Sequence, residues 1–221
     1  GMILSAMLIL SFSILLPAYF LVKNNLVDLI RGQLIAIAAS ADIAYDGDLL
    51  ESITMENQVL KSQEKKTVQK INARLENIHS DIKFVYIMVK NNKGEITFLV
   101  DSLAFFDSDN DGKMGEDEKT ATMGEVYKNP TKEMREAFIR PAADTNLNHD
   151  RWGEFLSGYA PIINSKNQTV AIVGLDMLSS VLQNKMNVFF LIWLLITSLA
   201  ILFSAIFAWW LSKKLKSIIP Q

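Results

Sequence analysis

Residues 153–177 read GEFLSGYAPIINSKNQTVAIVGLDM, and this stretch decides the fold. Gly153 to Ile163 and Val170 to Met177 are rich in strand formers and flank the polar turn Asn164-Ser165-Lys166-Asn167-Gln168, so they predict an antiparallel hairpin. Alternate side chains along a strand share a face, which groups Asp176 with Val170, Ile172 and Gly174. An acid on an otherwise apolar face needs a ligand, a core hydrogen bond or water as its partner.

Upstream, Phe84 to Val89 and Ile96 to Val100 form a second pair of strand-like runs around Asn91-Asn92-Lys93-Gly94. Between the hairpins lie a loop-rich excursion, Ser102 to Asn129, and a short helix from about Thr131 to Phe138. Two helices precede the first hairpin. One carries Val27, Ile30, Leu34, Ile37, Ala41 and Ala44 at alternating spacings of three and four, with Phe20 one step earlier. That seam fits either a helix packing on its own domain or a stalk pairing two protomers. Tyr45-Asp46-Gly47-Asp48 ends it in a turn, and a second helix is expected from about Glu56 to His79 with Val68, Ile71, Leu75 and Ile78 inward. Helix, helix, hairpin, excursion, hairpin describes an α+β domain: an antiparallel sheet with a long N-terminal helix.

Two uncharged runs bracket this domain, Met2 to Val22 and Met186 to Ser212. Each exceeds the roughly 20 helical residues that cross a bilayer core. The first lacks the basic start and small-residue cleavage site of a signal peptide. Lys213, Lys214 and Lys216 follow the second run, and Trp209 and Trp210 mark its boundary, so that end reads as cytoplasmic. The expected organisation is a transmembrane helix over residues 2–22, an extracytoplasmic domain over 23–185, a second transmembrane helix over 186–211 and a cytoplasmic start at 212–221. The expected location is a cytoplasmic (inner) membrane, crossed twice. All 24 acidic residues and all but three of the 22 basic ones fall between the runs, leaving the domain net acidic and without the basic face that nucleic acid requires. Cysteine is absent, which suits a bacterial or archaeal surface domain held by its core rather than by disulfides. Gln221 reads as a cut rather than a natural end.

Residues 107–118 match the twelve-residue calcium loop at every specified position. Asp107, Asp109, Asp111 and Glu118 supply carboxylate oxygens, Lys113 a carbonyl and Gly115 a water-mediated contact, while Gly112 permits the reversal. Calcium is the expected cofactor, in a structural role, because a strand rather than a helix precedes the loop. A second polar run, Asp144 to Asp150, is rejected as a calcium loop: His149 replaces its glycine and Phe155 its final glutamate. No histidine–cysteine cluster, catalytic triad or phosphate-cradling loop occurs, so the chain reads as non-enzymatic. Polar-capable residues in apolar strands nominate a ligand-binding face: Tyr86, Asp101, Trp152, Tyr159 and Asp176.

The stretch Asp150 to Ile162, followed by Val170 to Met177, resembles the last hairpin of Cache-type extracytoplasmic sensor domains of bacterial transmembrane receptors. The resemblance covers about Lys23 to Lys185. It implies a PAS-like antiparallel sheet, a ligand pocket on one sheet face and a homodimeric receptor. Trp210 to Lys216 is similar to the start of a HAMP linker, and the resemblance implies a kinase, cyclase or chemotaxis output beyond it. Asp176 matches an aspartate used by amino-acid-binding relatives. Arg151 and Trp152 are adjacent and no tyrosine follows, so the accompanying Arg-x-Trp-Tyr signature is incomplete. The functional expectation is the sensing module of a signalling receptor for a small extracellular molecule. The alternative is a membrane-anchored calcium-binding or adhesion module without signalling output. An accessory channel subunit is disfavoured by the lack of ionisable residues in either apolar run.

Overall fold

Strand formers at 84–100 and 153–178 build the sheet, and asparagine builds its turns. In the computed structural model, which describes residues 2–55, 62–101 and 119–218, the chain packs as two units. One comprises residues 29–182, the other the first 28 residues with the chain from residue 183 on. Helix α1 spans Met2–Ala41, and a short 3-10 turn, Asp42–Ala44, follows it. Next come α2 (Gly47–Met55), α3 (Ser62–Ile78), β1 (Phe84–Lys90) and β2 (Ile96–Val100). Then follow α4 (Lys132–Glu136), β3 (Ala142–Ala143), β4 (Asn148–Asp150), β5 (Gly153–Ile163), β6 (Thr169–Leu178) and α5 (Ser179–Ile218).

The sheet runs β2-β1-β6-β5-β3, with β4 also on β5, and every pairing is antiparallel. The fold is α+β, as the hairpin reading expects. Both turns form by the same chemistry. Asn91 Oδ1 accepts the N–H groups of Lys93 and Glu95, and Asn164 Oδ1 those of Lys166 and Gln168. Each side chain thus substitutes for a backbone turn.

One face of the sheet carries Val85, Ile87, Val173, Leu175, Leu156 and Ile162, all buried. Within residues 29–182 it is covered by Ile30, Leu34, Ala38 and Ala41 of α1, by Leu50 of α2 and by Val68 of α3. The approach is close: a Cβ on Gly158 would stand 2.7 Å from the Leu34 side chain and 2.9 Å from its backbone. This assigns the heptad seam at Ile30, Leu34 and Ala41 to the domain's own core.

Two helical expectations change. Helix α2 restarts directly after the turn at 45–46, begun by Asp46 Oδ1 accepting the Leu49 N–H at 3.1 Å. In α3 the buried position between Val68 and the strands is polar Asn72, whereas Ile78 is exposed. The reason is a gap in the ladder. Strand β2 reaches only as far as Ile87, so Val85 has no β2 partner. Asn72 Nδ2 donates to Val85 O at 2.9 Å, Glu76 accepts from Val85 N at 2.8 Å, and Tyr45 donates to Asn72 at 2.7 Å. A buried backbone pair is thereby satisfied by side chains.

In the other unit, Tyr19 stacks on Phe189 at 5.7 Å and lies 4.9 Å from Trp193. Large apolar side chains such as Leu191 and Phe203 face outward. Among the described residues, one helical segment, Ser179–Lys214, is long and apolar enough to cross a membrane.

Candidate ligand-binding face

The opposite face of the sheet is aromatic and polar. Register sets Tyr86, Gly174 and Tyr159 in one row across β1, β6 and β5, and Phe84, Asp176 and Ser157 in the next. Gly174 is the notch that makes this possible: a Cβ there would stand 2.1 Å from the Tyr86 ring. The ring lies in that space and its hydroxyl donates to Asp176 Oδ1 at 2.8 Å. Ser157 hydrogen-bonds both Asp176 and Tyr159, and Tyr159 donates to Asp144 Oδ2 at 3.1 Å. Thr131 completes the chain by donating to Asp144 Oδ1 at 2.7 Å while accepting the Met134 N–H as the cap of α4.

Two buried carboxyls therefore share one network of hydroxyls, with Asp144 1% and Asp176 8% exposed. Burial pushes Asp176 up to about 8 and Asp144 up to about 6, partly offset by the hydroxyls that donate to them. The same burial, with these carboxylates nearby, drives the Tyr86 and Tyr159 hydroxyls well above the ordinary tyrosine range. A third carboxyl, Asp150, sits half-buried at the edge. It accepts from Tyr127 at 3.0 Å and from the Trp152 N–H at 2.9 Å, and burial raises its pKa. Asn148 donates to the Tyr127 hydroxyl at 2.8 Å.

Beside Tyr127 and Asp150 opens a cavity of about 210 Å³, walled by Phe98, Tyr127 and Trp152 and rimmed by Glu125 and Arg151. Phe98 meets Tyr127 and Trp152 edge-on at 5.9 and 5.5 Å and Tyr86 at 5.8 Å, so the cavity wall and the polar network are one aromatic cluster. The Arg151 guanidinium covers the Trp152 ring at 4.1 Å and pairs with Glu125 at 2.9 Å. The wall segment bearing Tyr127 is held by backbone bonds of Phe98 and Ile96 to residues 124–127, an extra edge along β2.

Of the five nominated residues, Tyr86, Tyr159 and Asp176 share the buried network, and Trp152 forms the cavity wall. Trp152 Nε1 also donates to Lys119 O at 2.8 Å. Asp101 stands apart at the end of β2, where its carboxylate accepts the Ala121 N–H at 2.6 Å and fastens the far end of the excursion. The buried network also uses Thr131, Asp144 and Ser157, and the cavity edge uses Tyr127 and Asp150, none of which the sequence reading nominates. Asp144 and Asp150 belong to the run rejected as a calcium loop. The structure explains that polar run: Asp150 receives its own turn, and Asp144 reaches back to the sheet. The calcium-loop ligands Asp107, Asp109, Asp111, Lys113 and Glu118 lie outside the described residues. Among the described residues no cluster of histidine, cysteine or acidic side chains is arranged to hold a metal.

No family model matches the chain, and no curated protein sequence matches it. Similar solved structures are sensory domains. The E. coli DcuS sensor domain is 13% identical with a TM-score of 0.47, covering 72% of this chain and 96% of that one. The ligand-binding domain of the Campylobacter jejuni chemoreceptor Tlp3, in complex with 4-methylisoleucine, is 14% identical with a TM-score of 0.48. That match covers 83% of this chain and 63% of the other. The periplasmic sensory domain of C. jejuni Tlp1 is 10% identical with a TM-score of 0.39, covering 72% and 58%.

Proposed function

We propose that residues 29–182 form the ligand-sensing domain of a two-pass transmembrane receptor, extracytoplasmic in placement, with its signalling output beyond Gln221. The observation that carries this reading is the aromatic, hydrogen-bonded sheet face leading into a cavity of about 210 Å³. An apolar recess with a few convergent polar groups is the usual form of a small-molecule site, and this volume lies below the span typical of drug-sized ligands. The expected ligand is therefore a small metabolite. The placement is supported by the apolar helix Ser179–Lys214 and by the lysines that follow its tryptophans. An uncharged first run supports a second crossing. The output class is a kinase, a nucleotide cyclase or a chemotaxis domain, joined through a HAMP-like linker. Pairing of two copies through helices completes the reading, with the outer face of α1 available now that its inner seam is used.

Calcium at residues 107–118 would brace the excursion whose end Asp101 fastens. Calorimetry of the full chain should give binding in the range of about 0.1–1 mM. The double substitution Asp109→Ala with Glu118→Ala should abolish it.

The sensing function is tested by thermal melting of the full chain in detergent against a panel of small polar metabolites. A hit raises the melting temperature in the parent and loses its effect in Trp152→Ala. A panel without any hit, together with a full-length gene that stops soon after Gln221, would favour the calcium-binding or adhesion module instead. Topology is tested separately by single cysteines at Ser165 and Ser212 in this cysteine-free chain. Labelling of Ser212→Cys from outside the cell would overturn the orientation.

A further inference from the structure

The cavity beside Tyr127 and Asp150 already holds a cation of its own. The Arg151 guanidinium lines it and covers the Trp152 ring at 4.1 Å, where a positive charge is drawn to the negative face of the indole. The wall beneath is fixed. Trp152 is held at both ends, its backbone N–H by Asp150 Oδ1 at 2.9 Å and its Nε1–H by Lys119 O at 2.8 Å. Phe98 stands edge-on to it at 5.5 Å and to Tyr127 at 5.9 Å, so aromatic rings surround one recess. The cover is lighter than the wall. The Arg151 side chain is 40% exposed, and its pairing with Glu125 at 2.9 Å is of the solvent-screened kind that contributes little.

Charge decides what can take the place of that cover. Glu125 and Asp150 both line the cavity, and Asp150 accepts a hydrogen bond at each carboxyl oxygen. Lys128 lines it as an exposed side chain. A cation entering the recess can take over both the Trp152 face and Glu125 while Arg151 turns to water, so one positive charge is exchanged for another. A neutral molecule that displaces Arg151 leaves Glu125 without its partner. An anion that draws Arg151 away adds its own charge beside two acidic side chains. We propose that this cavity takes a small organic cation, an alkylammonium or guanidinium group, which displaces Arg151 from the Trp152 ring and faces Glu125. The inference rests on the reading of this cavity as the sensing site and names the chemical class that the site selects. Arg151 is then a built-in competitor. Its hold on the ring lowers the apparent affinity in proportion to the fraction of molecules whose ring is uncovered.

The probe is tetramethylammonium, titrated calorimetrically into the full chain in detergent, with sodium chloride holding the ionic strength constant. Tert-butanol, of similar shape and no charge, and sodium acetate are the comparisons. The parent should bind tetramethylammonium at least about tenfold more tightly than tert-butanol, and acetate should give no saturable heat. Arg151→Gln removes the competitor and should tighten tetramethylammonium binding by about threefold. Trp152→Ala should abolish that binding, and Trp152→Phe, which keeps a weaker ring, should reduce it. Equal binding of tert-butanol, weaker tetramethylammonium binding in Arg151→Gln, or no heat with tetramethylammonium in either protein would overturn the inference. If acetate or a neutral metabolite binds instead and is lost in Trp152→Ala, the cavity remains the sensing site and the assigned class is wrong. If no probe and no metabolite binds in a way that depends on Trp152, both readings fall. Should Trp152→Ala not fold, Trp152→Phe and Arg151→Gln still decide between these outcomes.

Discussion

The two faces of the sheet are built on opposite principles. On the helix-covered face, Leu34 meets Gly158, and Val173 and Leu175 are fully buried beneath the helical layer. The Val85 end needs polar partners there, and Asn72 and Glu76 supply them. On the other face, the same strands direct Tyr86, Ser157, Tyr159 and Asp176 into one hydrogen-bonded chain. The first face stabilises by burial, which is proportional to area and indifferent to pH. The second holds carboxyls that the interior prefers neutral, so its contribution changes with conditions. A domain assembled this way separates what keeps it folded from what can respond.

The largest expected effect breaks the first face. Leu34→Ala removes a fully buried side chain from the tightest helix–sheet contact and should cost about 3 kcal/mol in denaturant unfolding, at every pH. On the second face, Tyr159→Phe takes one hydroxyl from Asp144 and should cost about 1–2 kcal/mol near neutral pH.

Acidity should separate the faces next. Asp176 and Asp144 have folded-state values above their unfolded ones, so the folded protein binds more protons. Stability therefore falls as pH rises above the ordinary carboxylate value of 3.8, the share of Asp144 being lost by about 6 and that of Asp176 by about 8. The steepest possible slope is about 1.4 kcal/mol per pH unit for each proton. Asp176→Asn should flatten the profile between about 6 and 8 and make it shallower below 6, where only Asp144 then contributes. Leu34→Ala should shift the whole curve without changing its shape. The smallest effect belongs to the rim. Arg151→Ala uncovers Trp152 and breaks an exposed pair with Glu125, and should change stability by less than about 1 kcal/mol. A melting-temperature shift larger than that of Tyr159→Phe would show the rim to be structural after all.

The fold was legible where local chemistry and tertiary need agree. Both hairpins, their asparagine turns and the N-terminal helix follow from runs and punctuation that no distant contact contradicts. The heptad seam was legible as apolar, but its partner was not, because spacing records which residues are buried and not against what. Asn72 shows the reverse: its burial answers a missing strand neighbour, which no helical pattern in 62–78 can announce. The site divides likewise. Tyr86, Tyr159 and Asp176 stand out as polar residues in apolar strands. Asp144 and Thr131 come from loops, and only the folded chain brings them to the same sheet face.

Gly174 carries a consequence for descent. Its missing side chain is the volume that the Tyr86 ring occupies, and the two residues face each other across β1 and β6. A homologue that enlarges position 174 must shrink or re-aim position 86, and one that keeps the tyrosine must keep the glycine. The pair should therefore be inherited together, swapping in concert between lineages. Where both have changed, the hydroxyl on the last-strand aspartate has gone too, and that carboxyl must find another donor.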